Sequence, residues 1–271
     1  DMIPMGIVEE AYRLAEELGT LVHMHVAQGG REALQIRARY SSTTVRVLED
    51  HGLLGPRLLA AHCHYASDDE LALMARRGVS MASCQSSIAL IDGVAPPLAR
   101  YLELGGRAAL GTDQAAGNNN QSILAEMKTA ALLGKTRHRD PTILPAWVLL
   151  RLVTRGAAEI LGLERYVGSV ERGRRADLVV FDLRAPTLAP ALEKPLRNIS
   201  FNIVYAARGS EIRYVFVDGR PVVEEGEITI MDGEHVVEEA QKAAEDLAEK
   251  GGEAYLAAES YLVEKWREGL F

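Results

Sequence analysis

Three polar groups interrupt apolar, strand-like runs in this chain: His23-Met24-His25, His62-Cys63-His64, and Asp113 at the end of the run from Arg107 to Thr112. Imidazole nitrogens and a carboxylate are the donor set of a divalent metal site, and both are costly inside an apolar run unless something meets them. A carboxylate at the tip of a buried strand, with no basic residue beside it in sequence, calls for a cation or a network of donors. Alternation along a strand points His23 and His25 to one side, and His62 and His64 likewise. A single strand histidine is ordinarily a hydrogen-bonded core residue. Two histidine-bearing strand ends and an aspartate at a third favour a metal centre instead. The competing reading makes Asp113, or one of Asn118 to Asn120, a cap on the helix that begins near Gln121. His51 and His138 lie in helix-end and loop contexts and read as surface residues.

The elements that would carry these groups follow from apolar periodicity. Ile7, Val8, Ala11, Leu14, Ala15 and Leu18 recur at three and four, predicting a helix from Pro4 to Leu18 that stops at Gly19. Strands are expected over Thr20 to Ala27, Arg57 to Cys63, Val79 to Ser83 and Arg107 to Thr112. Between and after them lie helices Ser42 to His51, Ser67 to Arg77, Pro96 to Leu104 and Gln121 to Leu133. Strand and helix alternating with short loops demand a parallel sheet, and strands this apolar should be covered on both faces. Two further helical stretches, Pro145 to Thr154 and Gly156 to Leu161, precede a change of character. Gly168 to Asp182, Asn202 to Ala206 and Ile212 to Val223 read as short β segments, with Asp218-Gly219 as a hairpin turn. The expected organisation is residues 1–165 as a partial barrel, 166–232 as an antiparallel segment, and 233–271 as an acidic helical tail.

With 271 residues, 48% hydrophobic and 25% charged, the chain can bury a large core. A net charge of -8 and the lack of a basic cluster exclude a nucleic-acid or anionic-membrane surface, leaving a small molecule as the expected partner. Cys63 and Cys84 sit in apolar runs and nothing resembles a signal peptide or a spanning helix, so a reducing cytoplasm is expected. The chain opens Asp1-Met2-Ile3 inside a helical pattern, from which a preceding segment is expected.

Three stretches carry a resemblance: Leu59 to Ser80 with its Ala-His-Cys-His, Ala109 to Asn120 with its Gly-Thr-Asp, and Gly168 to Asp182 with its Arg-Arg-Ala-Asp-Leu-Val-Val-Phe-Asp. Together they resemble the amidohydrolase superfamily, in the branch of the adenosine- and guanine-type deaminases and the triazine chlorohydrolases, over about Asp1 to Glu227. The resemblance implies an α/β chain forming the C-terminal part of a (β/α)8 TIM-type barrel, plus part of a β-sandwich. It also implies one divalent metal, zinc or alternatively iron. His25 matches a metal ligand, Asp113 matches the aspartate that binds metal and shuttles a proton, and His62 matches the histidine that holds substrate or water. Gln28, Ser83 and Asn118 are the candidate substrate contacts, with His23 as a packing or supporting residue.

The implied activity is hydrolysis of a C–N or C–Cl bond in a heterocyclic small molecule by a metal-activated water. Departures from the pattern support a second reading, a degenerate protein that only binds. Gln28 stands where the deaminases place Glu, and an amide cannot donate a proton as a carboxylic acid does. Ser83-Cys84-Gln85-Ser86 replaces the Ser-His-Asn-Pro type of motif, and Cys84 reads as a small buried hydrophobe. A hydantoinase-like activity is disfavoured because no strand ends in lysine. The first-strand His-x-His is expected upstream of Asp1, and a homo-oligomer, with a separate N-terminal segment, is the expected assembly.

Overall fold

The structure is a computed structural model that describes residues 3–257 together with residues 265, 267 and 268. Helix α1 (Met5–Leu18) ends at Gly19, whose left-handed φ of 65° lets the Thr20 amide return to the Ala15 carbonyl at 2.9 Å. The chain then runs β1 (Val22–Val26), α2 (Gly30–Tyr40), α3 (Thr44–Asp50), β2 (Leu58–His62), α4 (Asp68–Arg77), β3 (Ser80–Ser83), α5 (Gln85–Asp92), α6 (Leu98–Glu103) and β4 (Arg107–Leu110). The four strands form one parallel sheet in the order β1-β2-β3-β4. Parallel pairing with a helix between strands puts all four C-terminal ends on one side, and the register aligns them: His25 lies beside Ala61, His62 beside Val26, and Ser83 beside Leu110.

Burial follows position in the sheet. Central β2 is buried at every residue, but edge strand β1 leaves His23 and His25 exposed, so the expectation of two covered faces fails at β1. Helix α4 starts as its sequence directs, with a reciprocal capping box between Ser67 and Glu70, and stops at Gly78. Helices α2 and α5 were not foreseen; neither begins with a capping side chain of its own.

Next come α7 (Ala115–Asn118), α8 (Ile123–His138), α9 (Ala146–Leu152), α10 (Arg155–Leu161), β5 (Leu178–Phe181), α11 (Ile199–Tyr205), β6 (Ile212–Val217), β7 (Arg220–Glu224), β8 (Glu227–Ile228) and α12 (Gly233–Ala257). Helix α8 continues past Leu133 to His138, and within it Gly134 lies against the Leu144 side chain, where a Cβ would clash. The cap on α8 is Ser122, helped by Asn120, which corrects the alternative that Asp113 caps it. The strand expected at Asn202 to Ala206 is helical: Val204 is buried, Ile203 packs on the core, and the Asn202 amide side chain donates to the Leu188 carbonyl at 2.8 Å. Burial against α8 and α9 overrides the β propensity of Ile203-Val204-Tyr205. Within Gly168 to Asp182 only Leu178–Phe181 is strand.

Strands β5 to β8 form a four-stranded antiparallel sheet in sequence order. Its β6–β7 hairpin turns at Asp218 and Gly219, both left-handed with φ of 50° and 78°, as a type I′ turn requires. The described part of the acidic tail is α12, and most of the tail beyond it lies outside the described residues. Among the described residues no helix is long and apolar enough to cross a membrane.

Candidate metal centre at the strand ends

Four non-glycine residues take left-handed backbone angles where strands β1, β2 and β4 finish: Ala27 (φ 49°), His62 (φ 71°), Cys63 (φ 55°) and Asp113 (φ 62°). Such a conformation costs an L-residue on the order of 1–3 kcal/mol and persists only when the surroundings enforce it. After β1 the enforcement comes from Glu32 in the first turn of α2. Its buried carboxylate accepts the amides of Ala27 at 2.9 Å and Gln28 at 2.8 Å. After β4 it comes from Asn118, whose Nδ2 donates to the Thr112 carbonyl at 2.6 Å, and from Gln121, whose Nε2 donates to the Asp113 carbonyl at 3.1 Å.

These turns bring three expected residues together. His25, His62 and Asp113 each offer a donor atom, and the three atoms all lie within 4.8 Å of one another. The His25 and His62 ring centroids are 5.0 Å apart, and His62 Nε2 is 3.9 Å from Asp113 Oδ2. His62 is 1% exposed, yet among the described residues neither of its ring nitrogens has a hydrogen-bond partner. Burial pushes its pKa down to about 4, against an opposing pull from Asp113 and with a further push from His25 and His64, so it is neutral near pH 7. A neutral imidazole is the form that donates a lone pair to a metal or a proton.

Asp113 is held in the opposite state. Burial would raise its pKa, but the Ser87 hydroxyl (2.6 Å to Oδ2), the Gln114 amide (2.8 Å to Oδ1), His62 and His25 together bring it below the usual aspartate value. Two imidazoles and an ionised carboxylate suit zinc or iron, and the unpartnered nitrogens of buried His62 fit a group that supplies their missing contact.

The remaining expected residues sit around this cluster. Gln28 is half-buried in the β1–α2 turn. Ser83 is buried at the end of β3, its Oγ accepting from Gln85 Nε2 at 2.8 Å. Asn118 is buried and anchors the Asp113 loop. Buried Cys84 is inert: burial, then the charges of Asp113 and Glu126, push its thiol up to about 12. His64 does not join the three, because β2 ends at His62 and strand alternation ends with it; its Nε2 lies 3.6 Å from Asp92 Oδ2. His51 is at the surface, paired with Glu9 at 2.8 Å, but His138 is a correction: its side chain is only 21% exposed and its Nε2 is buried. Ser87 and Glu126 escaped sequence reasoning. Each looks like an ordinary helix residue, and only the fold brings Ser87 to Asp113.

The chain is similar to known proteins in sequence and in fold. The amidohydrolase family pattern matches residues 6–222. A 5-methylthioadenosine/S-adenosylhomocysteine deaminase of Desulforudis audaxviator is 37% identical over 247 residues, 91% of this chain and 56% of that protein. The solved structure of an adenosine deaminase from Xanthomonas campestris with bound zinc superposes with a TM-score of 0.81 at 32% identity, covering 88% of this chain and 53% of the other. An atrazine chlorohydrolase from Arthrobacter aurescens complexed with zinc superposes with a TM-score of 0.75 at 26% identity, over 85% of this chain and 50% of the other. The chain spans about half the length of the curated relatives it matches.

Proposed function

This chain belongs to the amidohydrolase family, and from that premise we propose that it carries the catalytic strand ends of a metal-dependent hydrolase acting on a C–N or C–Cl bond of a heterocyclic small molecule. The observation that carries the proposal is the meeting of His25, His62 and Asp113 around two unpartnered imidazole nitrogens. In it, His25 and Asp113 hold the ion, with zinc the first choice because similar structures are described with zinc. A divalent ion bound there supplies Lewis acidity and lowers the pKa of a water molecule towards about 7. The chain's own groups do the rest. Asp113, kept ionised by Ser87 and Gln114, takes a proton and returns it. Neutral His62 orients substrate or water through a ring nitrogen. Gln28 donates a hydrogen bond to the ring without supplying a proton, and Ser83 and Asn118 shape the substrate side from their buried positions.

The finer architecture belongs to the same proposal: a partial (β/α)8 barrel over residues 1–165, β-sandwich strands within 166–232, and a helical tail from 233. The free, buried cysteines suit a reducing cytoplasm, and a homo-oligomer is the proposed assembly. The amine of a purine nucleoside is the first bond to try, since relatives are described as deaminases of such substrates. The test is metal content and steady-state turnover of the full-length protein on aminopurine nucleosides and chlorotriazines, with Gln28→Glu alongside. Bound metal with turnover is expected, and Gln28→Glu should raise deamination by at least about 10-fold, given that general acid catalysis contributes about 10²–10⁴-fold. A protein without metal or turnover would favour the binding-only reading.

A further inference from the structure

The donor that fixes Asp113 is itself fixed from elsewhere in the chain. Ser87 Oγ donates to Asp113 Oδ2 at 2.6 Å while the Gln114 amide takes Oδ1, so both oxygens of a carboxylate with a soft χ2 are pinned. Ser87 is fully buried in the first turn of α5. That helix has no side-chain cap of its own, and its first two amides, Gln85 and Ser86, donate to Glu126 Oε1 of α8, the second at 3.1 Å. Glu126 is 1% exposed, and among the described residues its Oε2 has no hydrogen-bond partner. Helix α8 is the one that follows the Asp113 loop. The path therefore closes on itself: β4 leads to Asp113, the loop leads to α8, Glu126 clamps α5, and α5 presents Ser87 to Asp113.

We propose that Ser87 and Glu126 are positioning residues for Asp113, Ser87 by direct hydrogen bond and Glu126 through the first turn of α5. The inference rests on the metal-centre reading and extends it to residues with no place in the donor set. Partners that orient a metal-binding side chain are typically worth about 10–100-fold in metal affinity or activity. Glu126→Gln keeps a carbonyl oxygen for the two amides, whereas Glu126→Ala leaves them without an acceptor.

The experiment measures zinc affinity of the full-length protein by competition with a chromophoric chelator, with kcat and KM in parallel and near-ultraviolet circular dichroism to verify folding. Ser87→Ala and Glu126→Ala should each weaken zinc binding about 10–100-fold and lower kcat more than they raise KM. Glu126→Gln should restore near-wild-type affinity. The double variant should be no worse than the weaker single one, since Glu126 acts through Ser87. Unchanged zinc affinity in Ser87→Ala, or losses that multiply in the double variant, would overturn the proposal. If Glu126→Ala does not fold, Ser87→Ala, which removes one atom, carries the decision with Glu126→Gln. Wild-type protein that binds zinc without turnover counts against the proposed activity alone, and wild type that binds no zinc overturns both.

Discussion

Two buried polar groups, one at the ends of the parallel strands and one in the antiparallel unit, are treated in opposite ways. Glu211, before β6, is 1% exposed and its carboxylate is fully engaged, by the Thr187 hydroxyl and by the amides of Arg208 at 3.0 Å and Gly209 at 2.9 Å. Burial alone would raise its pKa, but these donors outweigh it and hold the group at about 2. His62, equally buried, has no partner on either nitrogen, and its pKa falls to about 4 because burial dominates. The first arrangement is what folding produces when a polar group serves the structure. The second keeps capacity in reserve, at a site where several residues also hold strained backbone angles. A buried group with its contacts filled speaks of stability; one whose contacts are left open by the chain speaks of chemistry.

The comparison breaks most visibly at Asp113. Asp113→Asn keeps the shape and tolerates the left-handed backbone, so kcat should fall by about 10²–10⁴-fold with loss of metal, while the thermal midpoint measured in chelator moves little from that of the wild type in chelator. Unfolding on the scale of a Glu211 variant would erase the distinction between the two regions. Glu211→Ala should do the reverse. Stranding the Thr187 hydroxyl and two amides should cost roughly 2–3 kcal/mol in urea unfolding, with unchanged turnover per folded molecule.

Acid titration sharpens the contrast, because each group has its own window. The unfolded His62 takes a proton near 6.5 and the folded one only near 4, so acid favours the unfolded state as pH falls through that range. In chelator, stability should therefore be full above pH 6.5 and decline by up to about 1.4 kcal/mol per pH unit towards 4. Zinc should raise stability and carry this limb below pH 4, because an imidazole that faces the ion takes up no proton in the folded state. The Glu211 contribution, from a pKa depressed from 4.5 to about 2, is lost between those values, mostly below the His62 window. Urea unfolding from pH 7 to 3, with and without zinc, separates them, and an acid limb that levels off near pH 4 equally with and without zinc would remove His62 from the metal centre.

Much of the cluster was legible because polar residues in apolar runs stand out: the pairs His23/His25 and His62/His64, and Asp113, declare themselves, and the family resemblance then singled out His25 and His62. Local signals also served where both partners lie within a few residues, as in the Ser67–Glu70 capping box and the Asp218-Gly219 turn. What escaped depends on partners far along the chain. Helix α5 is capped by a carboxylate 41 residues away, and Ser87 meets Asp113 across 26. Helix α2 is secured backwards, by Glu32 reaching to amides that precede it. The segment Ile199–Tyr205 is apolar enough for either period, and its burial against α8 and α9 decided in favour of helix.

The left-handed angle at Ala27 bears on how this protein would respond to selection for heat resistance. Glycine there would relieve a strain that alanine bears, a gain of about 1 kcal/mol if the turn stayed in place. The same change frees the hinge directly after Val26, one residue beyond His25, and a looser hinge widens the range of positions that imidazole visits. Thermal adaptation and catalytic precision therefore pull on this one backbone torsion from opposite sides, and a lineage or an engineer that selects for the first alone spends the second.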